Sequence, residues 1–580
     1  MPSRAFAVFM QAASLLALSL LAAGCTQQPV PTDAPDAAVA DAAVPEVYGT
    51  LEPFASEAVY FVLTDRFVNG DPSNDHRAQG GPDPKLRTFD RPTPGAPAGK
   101  HDNVGYLGGD FRGIVDNADY IRDMGFGAVW LTPIVDNPDE AFTGGKPVQW
   151  GGMFTDRGKT GYHGYWGVNF HRLDEHLPSA NLDFAGLTRA LHAKDMKVVL
   201  DIVANHGSPA YTMPKDQPKY GEIYDRDGAL IADHQNLHPE KLDPAGNPLH
   251  RFYNTKPGLA ELSDTNENNP QVLDYFTGAY LQWIDQGADA FRIDTIPWLP
   301  HAFWKNFADR IRARHPGFFM FGEAFDYDAA KIAQHTWPQN GGVSVLDFPL
   351  RAKLVEIFEK PGSDFAALAS VLHLENGPYA NPYELMTFYD NHDMARMNAS
   401  DEGFIDAHHW LFTARGIPVV YYGSEVGFMR GTAEHAGNRN YLGQAGVDAA
   451  RSHPIRAALK RIAHVRAASP ALQRGIQLNV ELKGDRATFY RVYQHAGQQQ
   501  IALVLLNKGD APTDFSVSDH LQAGHWRSAL DDSAVQVADG GVLSTSVPAH
   551  GVQVFLLEAP VTRADLAMAL ARAMATSRGR

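Results

Sequence analysis

The stretch Gly287-Ala288-Asp289-Ala290-Phe291-Arg292-Ile293-Asp294-Thr295 carries an arginine and an aspartate two positions apart at the end of an apolar run. In an extended strand, residues at i and i+2 face the same way, so Arg292 and Asp294 project together from its carboxyl end. A neighbouring guanidinium favours the ionised carboxylate, which suits a nucleophile. An isolated Arg-x-Asp is as well explained by a structural ion pair, so the other acids must decide. Further apolar runs lead to Asp201 with Asn205 and His206, to Glu323, and to Asn391-His392-Asp393. Acids gathered in one mouth repel one another and cost stability, which structural pairing does not explain. Retaining glycoside hydrolysis needs such a set: a nucleophile and a proton donor flanking one bond, roughly 5 Å apart. Asp294 is the candidate nucleophile. Glu323, with Phe321 and Phe325 nearby to favour its neutral form, is the candidate acid/base. Asp393 could hold sugar hydroxyls as an oxocarbenium-like transition state develops.

These side chains need a scaffold that brings strand ends together. Eight short apolar runs recur from Glu57 onward: Ala58 to Phe67, Ala128 to Ile134, Lys197 to Val203, Asp289 to Asp294, Phe318 to Glu323, Val343 to Phe348, Leu385 to Asn391 and Pro418 to Gly423. Amphipathic stretches such as Phe184 to Lys194, Val272 to Asp285 and Trp304 to Arg314 separate them. Apolar strands alternating with helices predict a parallel sheet covered on both faces, and eight of them predict an α/β fold of the (β/α)8 barrel type. No strand is followed by a Gly-rich phosphate-binding turn, so a doubly wound nucleotide-binding sheet has no support. Gly207 to Glu261, rich in Pro, Tyr, His and Asp, reads as a subdomain inserted after strand 3, which divides the barrel into 51–206 and 262–468. From 469 to 558 the pattern turns to period-two strands, predicting a separate antiparallel β-sandwich.

The composition, 44% hydrophobic and 20% charged over 580 residues, predicts a large core. A net charge of −17 argues against nucleic acid as partner. The N-terminus carries Arg4, an apolar run from Ala5 to Ala23 and then Gly24-Cys25, the pattern of a secretory signal. Cys25 is the sole cysteine, so no disulfide forms within one chain. The stretch resembles a bacterial lipoprotein signal (1–25), which implies a lipidated Cys25 and membrane contact only through that lipid; Thr26 resembles outer-membrane sorting. Residues 26–50, rich in Ala, Pro and Asp, read as a tether, and 559–580 as a terminal helix expected to fray.

Four segments are recognisable in order and spacing: Asp201-Ile-Val-Ala-Asn205-His206, Phe291-Arg-Ile-Asp294, Phe321-Gly-Glu323 and Phe388-Tyr-Asp-Asn-His-Asp393. They resemble the signature regions of the α-amylase family, glycoside hydrolase family 13, with further matches at Tyr162-His-Gly-Tyr-Trp166, Leu262-Ser-Asp-Thr-Asn266 and Gly416 to Glu425. The likeness runs from about Ala58 to Leu557. It implies the roles above, with Tyr165 stacking on the cleaved sugar, Trp166 beside it, His206, Arg292, His392 and Arg439 at the substrate, and Phe325 on the acceptor side. His408-His409 lies outside any motif and reads as structural or exposed. The resemblance also implies calcium, an ion that takes oxygen ligands. One loop would draw on Asn69, Asp71, Asn74, Asp75, Gly108 and Asp110, and a second site on Asn205 and Asp264.

Within the family the chain looks closest to cyclodextrin glucanotransferases and similar amylases, yet its details point away from cyclisation. Ala260 stands where those transferases carry a large aromatic, Pro297-Trp298 replaces an acceptor-side Lys-His pair, and His435 replaces an acid four positions before Arg439. No starch-binding domain follows the β domain, so small maltodextrins are the expected substrate rather than granular starch. The expectation is an α-1,4-glucan hydrolase at the cell envelope. The alternatives are a glucanotransferase and, more remotely, a surface glycan-binding protein without turnover.

Overall fold

The computed structural model describes residues 46–217 and 219–577; the expected signal, Cys25 and most of the tether lie outside them. Eight parallel strands are present: β1 Val59–Val62, β2 Ala128–Leu131, β3 Lys197–Ile202, β4 Ala290–Ile293, β5 Phe319–Gly322, β6 Ser344–Val345, β7 Met386–Thr387 and β8 Ile417–Tyr421. Their order is β6-β5-β4-β3-β2-β1-β8-β7, and a single parallel bridge, Leu346 to Met386, joins the two ends into a barrel. Nearly every strand residue is buried, as expected for strands covered on both faces. Several strands are shorter than their apolar runs: Thr64–Phe67, for example, is one helical turn rather than the end of β1.

Outer helices follow the strands and start where the sequence supplies caps. Helix α1 (Phe184–His192) begins at Asp183, whose carboxylate accepts from Gly186 N–H, and α2 (Pro270–Asp285) has Asn269 as cap and Pro270 in its first turn. His408 and His409 lie on α3 (Asp401–Thr413), both fully buried, so they are structural and not exposed.

Excursions follow two strands. After β3, His206–Pro209 pairs antiparallel with Leu262–Asp264, zipping the ends of the inserted subdomain together, and a hairpin of Glu222–Tyr224 with Leu230–Asp233 lies inside it. After β2, the segment 137–168 is bounded by Val135–Asp136 pairing with Asn169–Leu173; the sequence pattern did not separate this second excursion from the barrel.

The C-terminal region forms an antiparallel sheet of β9 (Ile476–Lys483), β10 (Arg486–His495), β11 (Gln498–Asn507), β13 (Gly524–Ser528), β14 (Ala534–Val537) and β16 (Gly551–Leu557), in the order β9-β10-β11-β16-β13-β14. A ribbon of β12 (Thr513–Val517) and β15 (Leu543–Val547) accompanies it. Two terminal expectations are corrected. Val47, placed in the tether, exchanges backbone hydrogen bonds with Gln494 of β10, so residues 46–50 belong to the folded body. The terminal helix Ala564–Ser577 does not fray: Leu566, Leu570 and Ala573 are buried in the core that contains Trp526 and Phe555, and this burial offsets the entropy of ordering a chain end. Among the described residues no helix is long and apolar enough to cross a membrane.

Leu570→Ala tests the docked helix. Truncating a fully buried leucine costs about 2–5 kcal/mol, so urea or thermal unfolding of the β domain should shift measurably, whereas a frayed helix would leave it unchanged.

Candidate active site

Parallel pairing places the strand ends in register. Arg292 lies opposite Asp201 on β3 and Phe321 on β5, so the acids that follow surround one guanidinium. Arg292 is completely buried, and its Nη1 donates to Asp201 Oδ1 and Asp294 Oδ1, both at 2.8 Å, while Nη2 lies 2.9 Å from Glu323 Oε2. Three carboxylates thus share one cation. Arg292 was expected among the substrate-binding residues; the structure buries it completely against the three acids.

Each acid has a different remainder. Asp201 receives Trp130 Nε1–H at 3.1 Å and the Tyr165 hydroxyl at 2.8 Å, and burial raises its pKa to about 7 against the pull of Arg292. Its role is to hold Arg292 and Tyr165 in place. Asp294 accepts from Thr295 Oγ1 at 3.0 Å, with His206 Nε2 at 4.0 Å. Glu323 is pushed up to about 8, first by burial and then, against Arg292, by the charges of Asp393, Asp294 and Asp201. It is the most readily protonated member of the set, ahead of Asp201. Asp393 is held below the ordinary range: burial opposes its charge, but His392, Arg439 and Arg292 outweigh that cost.

Tyr165 reaches the site because Gly164 turns the chain at φ +86°, where a Cβ would lie 2.2 Å from Pro133 O. The Tyr165 ring lies parallel to His392 at 5.2 Å. His392 is drawn down to about 3 by burial, so it is neutral and offers its ring nitrogens as hydrogen-bonding groups. Phe325, 46% exposed, stands on the loop of Glu323 against Phe348. Trp166, expected beside the cleaved sugar, packs with Phe142, Met213 and Tyr220 and is 4% exposed, a core residue where the excursion after β2 meets the inserted subdomain after β3.

Arg439 donates from Nη2 to Asp393 Oδ1 at 2.8 Å and from Nε to the His392 carbonyl at 2.9 Å. Its other arm contacts Glu434 at 3.0 Å, a residue that sequence reasoning missed because it stands one position before the expected acid site, taken by His435. An acid beside that substitution was the available signal.

The expected calcium residues gather in two places. Asp110 accepts from the backbone N–H groups of Gly70, Asp71 and Gly113, while Asn69 donates to Asp75 at 2.7 Å beneath Gly108, where a Cβ would collide with both side chains. The side-chain oxygens of Asn69 and Asn74 are buried without a partner. Asp71 alone turns its carboxylate outward, to Ser73. At the second place, burial raises Asp264 to about 7 and its Oδ2 is likewise without a partner, with Asn205 adjacent. Unpaired oxygens and a desolvated carboxylate fit a hard cation. A third group, Asp174, Glu175 and His176, bonds to Tyr106 and Gln79 and through its own His–Asp contact, and leaves His176 Nε2 without a partner.

Residues 61–459 match the family described as alpha amylase, catalytic domain. The chain belongs to the α-amylase family. Among relatives of this α-amylase family protein, a cyclomaltodextrin glucanotransferase of Bacillus licheniformis is 28% identical over 85% of the chain, which spans 63% of that relative's length. An alpha-amylase of Niallia circulans is also 28% identical, over 88% of this chain and 92% of the relative. Two solved structures share the fold at 28% identity, each over 87% of this chain and 99% of the other. One is a cyclomaltodextrin glucanotransferase described as the first with a three-domain ABC distribution, at a TM-score of 0.68. The other, at 0.65, is an alpha-amylase from Geobacillus thermoleovorans complexed with acarbose.

Arg292→Lys in this α-amylase family site keeps the charge but loses the planar fork that serves three acids. Activity should fall roughly 100-fold or more through misplaced carboxylates, and leaving buried acids unpaired should cost about 3–5 kcal/mol of stability. Steady-state kinetics and thermal melting read the two effects separately.

Proposed function

We propose that this protein is a retaining α-glucan hydrolase that cleaves α-1,4 bonds of maltodextrins. The observation that carries this reading is the pair of acids on one guanidinium: both Asp294 and Glu323 contact Arg292, and burial raises Glu323 to about 8. Glu323 protonates the glycosidic oxygen as that bond breaks, and Asp294 attacks the anomeric carbon from the opposite face, giving a covalent glycosyl ester. Glu323, now a carboxylate, takes a proton from water, whose oxygen displaces Asp294; one water is consumed and the α-configuration returns. Asp393 and the neutral His392 bind hydroxyls of the sugar between them, tightening as positive charge develops at the ring, with Tyr165 beneath it. The first test is incubation with maltoheptaose beside an Asp294→Asn control: only shorter products, absent from the control, are expected, and longer or cyclic products would overturn hydrolysis.

A transferase is the second reading, favoured by the cyclomaltodextrin glucanotransferases among the relatives. The exposed Phe325, Tyr327 and Trp298 offer surfaces on which an acceptor sugar could stack in place of water. Ala260, exposed at the place of a large aromatic in those enzymes, supports hydrolysis.

Because Glu323 must be protonated and its pKa is raised, the active form persists well above the usual carboxylate range and is lost as pH rises through about 8. The expected alkaline limb of kcat/KM lies near that pH and falls roughly tenfold per unit beyond it. A limb near pH 5 would show that burial does not keep Glu323 neutral.

Calcium, when bound, would serve structure by neutralising and cross-linking oxygens, held by Asn69, Asn74, Asp75, Asp110 and the Gly108 carbonyl, and by Asn205 with Asp264. A chelator should lower the melting temperature; at a hundredfold excess over Kd the ion contributes about 2.7 kcal/mol. Asn74→Ala should reduce that calcium response. We further place the protein at the cell envelope, held by a lipid on Cys25; mass spectrometry of the mature N-terminus tests it.

A further inference from the structure

The two sides of the cleft are built differently. Glu323 delivers its proton to the leaving group, so its own loop borders the reducing-end part of a bound glucan. That side is open, with Phe325, Tyr327 and Trp298 exposed by 46%, 49% and 51%. Asp393 serves the sugar under attack, so the residues behind it, reached through Arg439, border the non-reducing end. There the polar side chains are covered: Lys159, Glu434, His435 and Arg439 are each no more than 5% exposed, beneath a loop whose Phe154 is 68% exposed.

The closure is a latch between two loops. Glu434 Oε1 accepts from Lys159 Nζ at 2.7 Å and pairs with Arg439 at 3.0 Å, while its Oε2 accepts the Phe154 N–H at 2.9 Å. His435, filling the expected acid position, exchanges backbone hydrogen bonds with Gly151 and Gly152 and makes a ring contact to the Thr155 carbonyl at 3.0 Å. The Trp150 N–H reaches Pro94 O, tying in a third segment. Arg439 thus has a contact on each guanidinium nitrogen, to Asp393, His392 and Glu434, and is 5% exposed. Phe154 holds a positive φ of 55°, a costly conformation for an aromatic residue that the Glu434 bond fixes.

We propose that the 149–159 loop, latched by Glu434, ends the donor side of the cleft within one or two sugars of the cleaved bond, so that the enzyme works from the non-reducing end of a linear α-glucan and releases a short saccharide. This rests on the glucan-cleaving reading of the same site. Glu434 is a positioning residue: it touches no reacting atom and sets how much chain the donor side admits.

The test uses the full chain and maltoheptaose labelled at its reducing end, with and without a 4,6-ethylidene block on the non-reducing sugar. The labelled fragment leaves in the first half-reaction, before water or a second sugar resolves the intermediate, so its length reports the donor side even if transfer follows. Labelled fragments of five or six sugars as first product, and at least 100-fold slower cleavage of the blocked substrate, are expected. Early labelled fragments of all lengths, with the blocked substrate cut equally fast, would overturn the proposal and leave hydrolysis standing. Glu434→Gln, and replacement of residues 149–156 by a short Gly-Ser link in case that variant folds poorly, should each restore cleavage of the blocked substrate. Binding to Asp294→Asn checks the same point without turnover: calorimetry should find blocked maltoheptaose at least tenfold weaker than free, and equal affinities would overturn the closure.

Discussion

A single guanidinium with no exposed surface holds the site together. Arg292 contacts Asp201, Asp294 and Glu323, and without it three carboxylates would face one another in a desolvated barrel mouth. Coulomb repulsion between desolvated like charges opposes such a cluster. With one positive charge among three acids, the set cannot be fully neutralised by pairing alone. Protonation relieves the remainder, and burial together with its acidic neighbours raises Glu323 furthest, to about 8, with Asp201 next at about 7. The raised pKa of Glu323 thus comes first from its own burial and then from the acids gathered around Arg292.

That arrangement depends on the barrel. Parallel register sets Arg292 level with Asp201 and Phe321, so the acid following Phe321-Gly322 lands beside the guanidinium. The first layer below is aromatic: Phe61 stacks on Trp130 at 3.9 Å, and Trp130 donates to Asp201. Packing of the core and orientation of the charges are therefore one problem, and an indole serves both. The rims add a second level of control through excursions that belong to the strands only by their end points.

Charge also organises the rim beyond Asp393. Glu434 is buried yet held well below its ordinary pKa: burial opposes the charge, but Arg439, Lys159 and His435 outweigh it. A relay of alternating charge runs from Asp156 through Lys159, Glu434 and Arg439 to Asp393. It couples a surface loop to Asp393 without touching Arg292.

Much of this could be read from residues in order. The eight apolar runs announced the barrel because parallel strands covered on both faces have no polar face to disguise them. Asp294, Glu323 and Asp393 were legible because in such a barrel the strand ends converge whatever the helices do. The calcium candidates came from the family resemblance, and which of their oxygens stay unpartnered is visible only in the fold. What only the tertiary structure decided lies in contacts between segments distant in sequence. Trp166 proved to be core because Phe142, Met213 and Tyr220 surround it, and the terminal helix proved to be docked because β9 to β16 present an apolar face to it. Glu434 and Lys159, 275 positions apart, meet across a rim that no local pattern encodes. Periodicity reports which face a residue presents within its own element; the identity of the partner on that face is set by how elements close on one another, and that is a property of the folded chain alone.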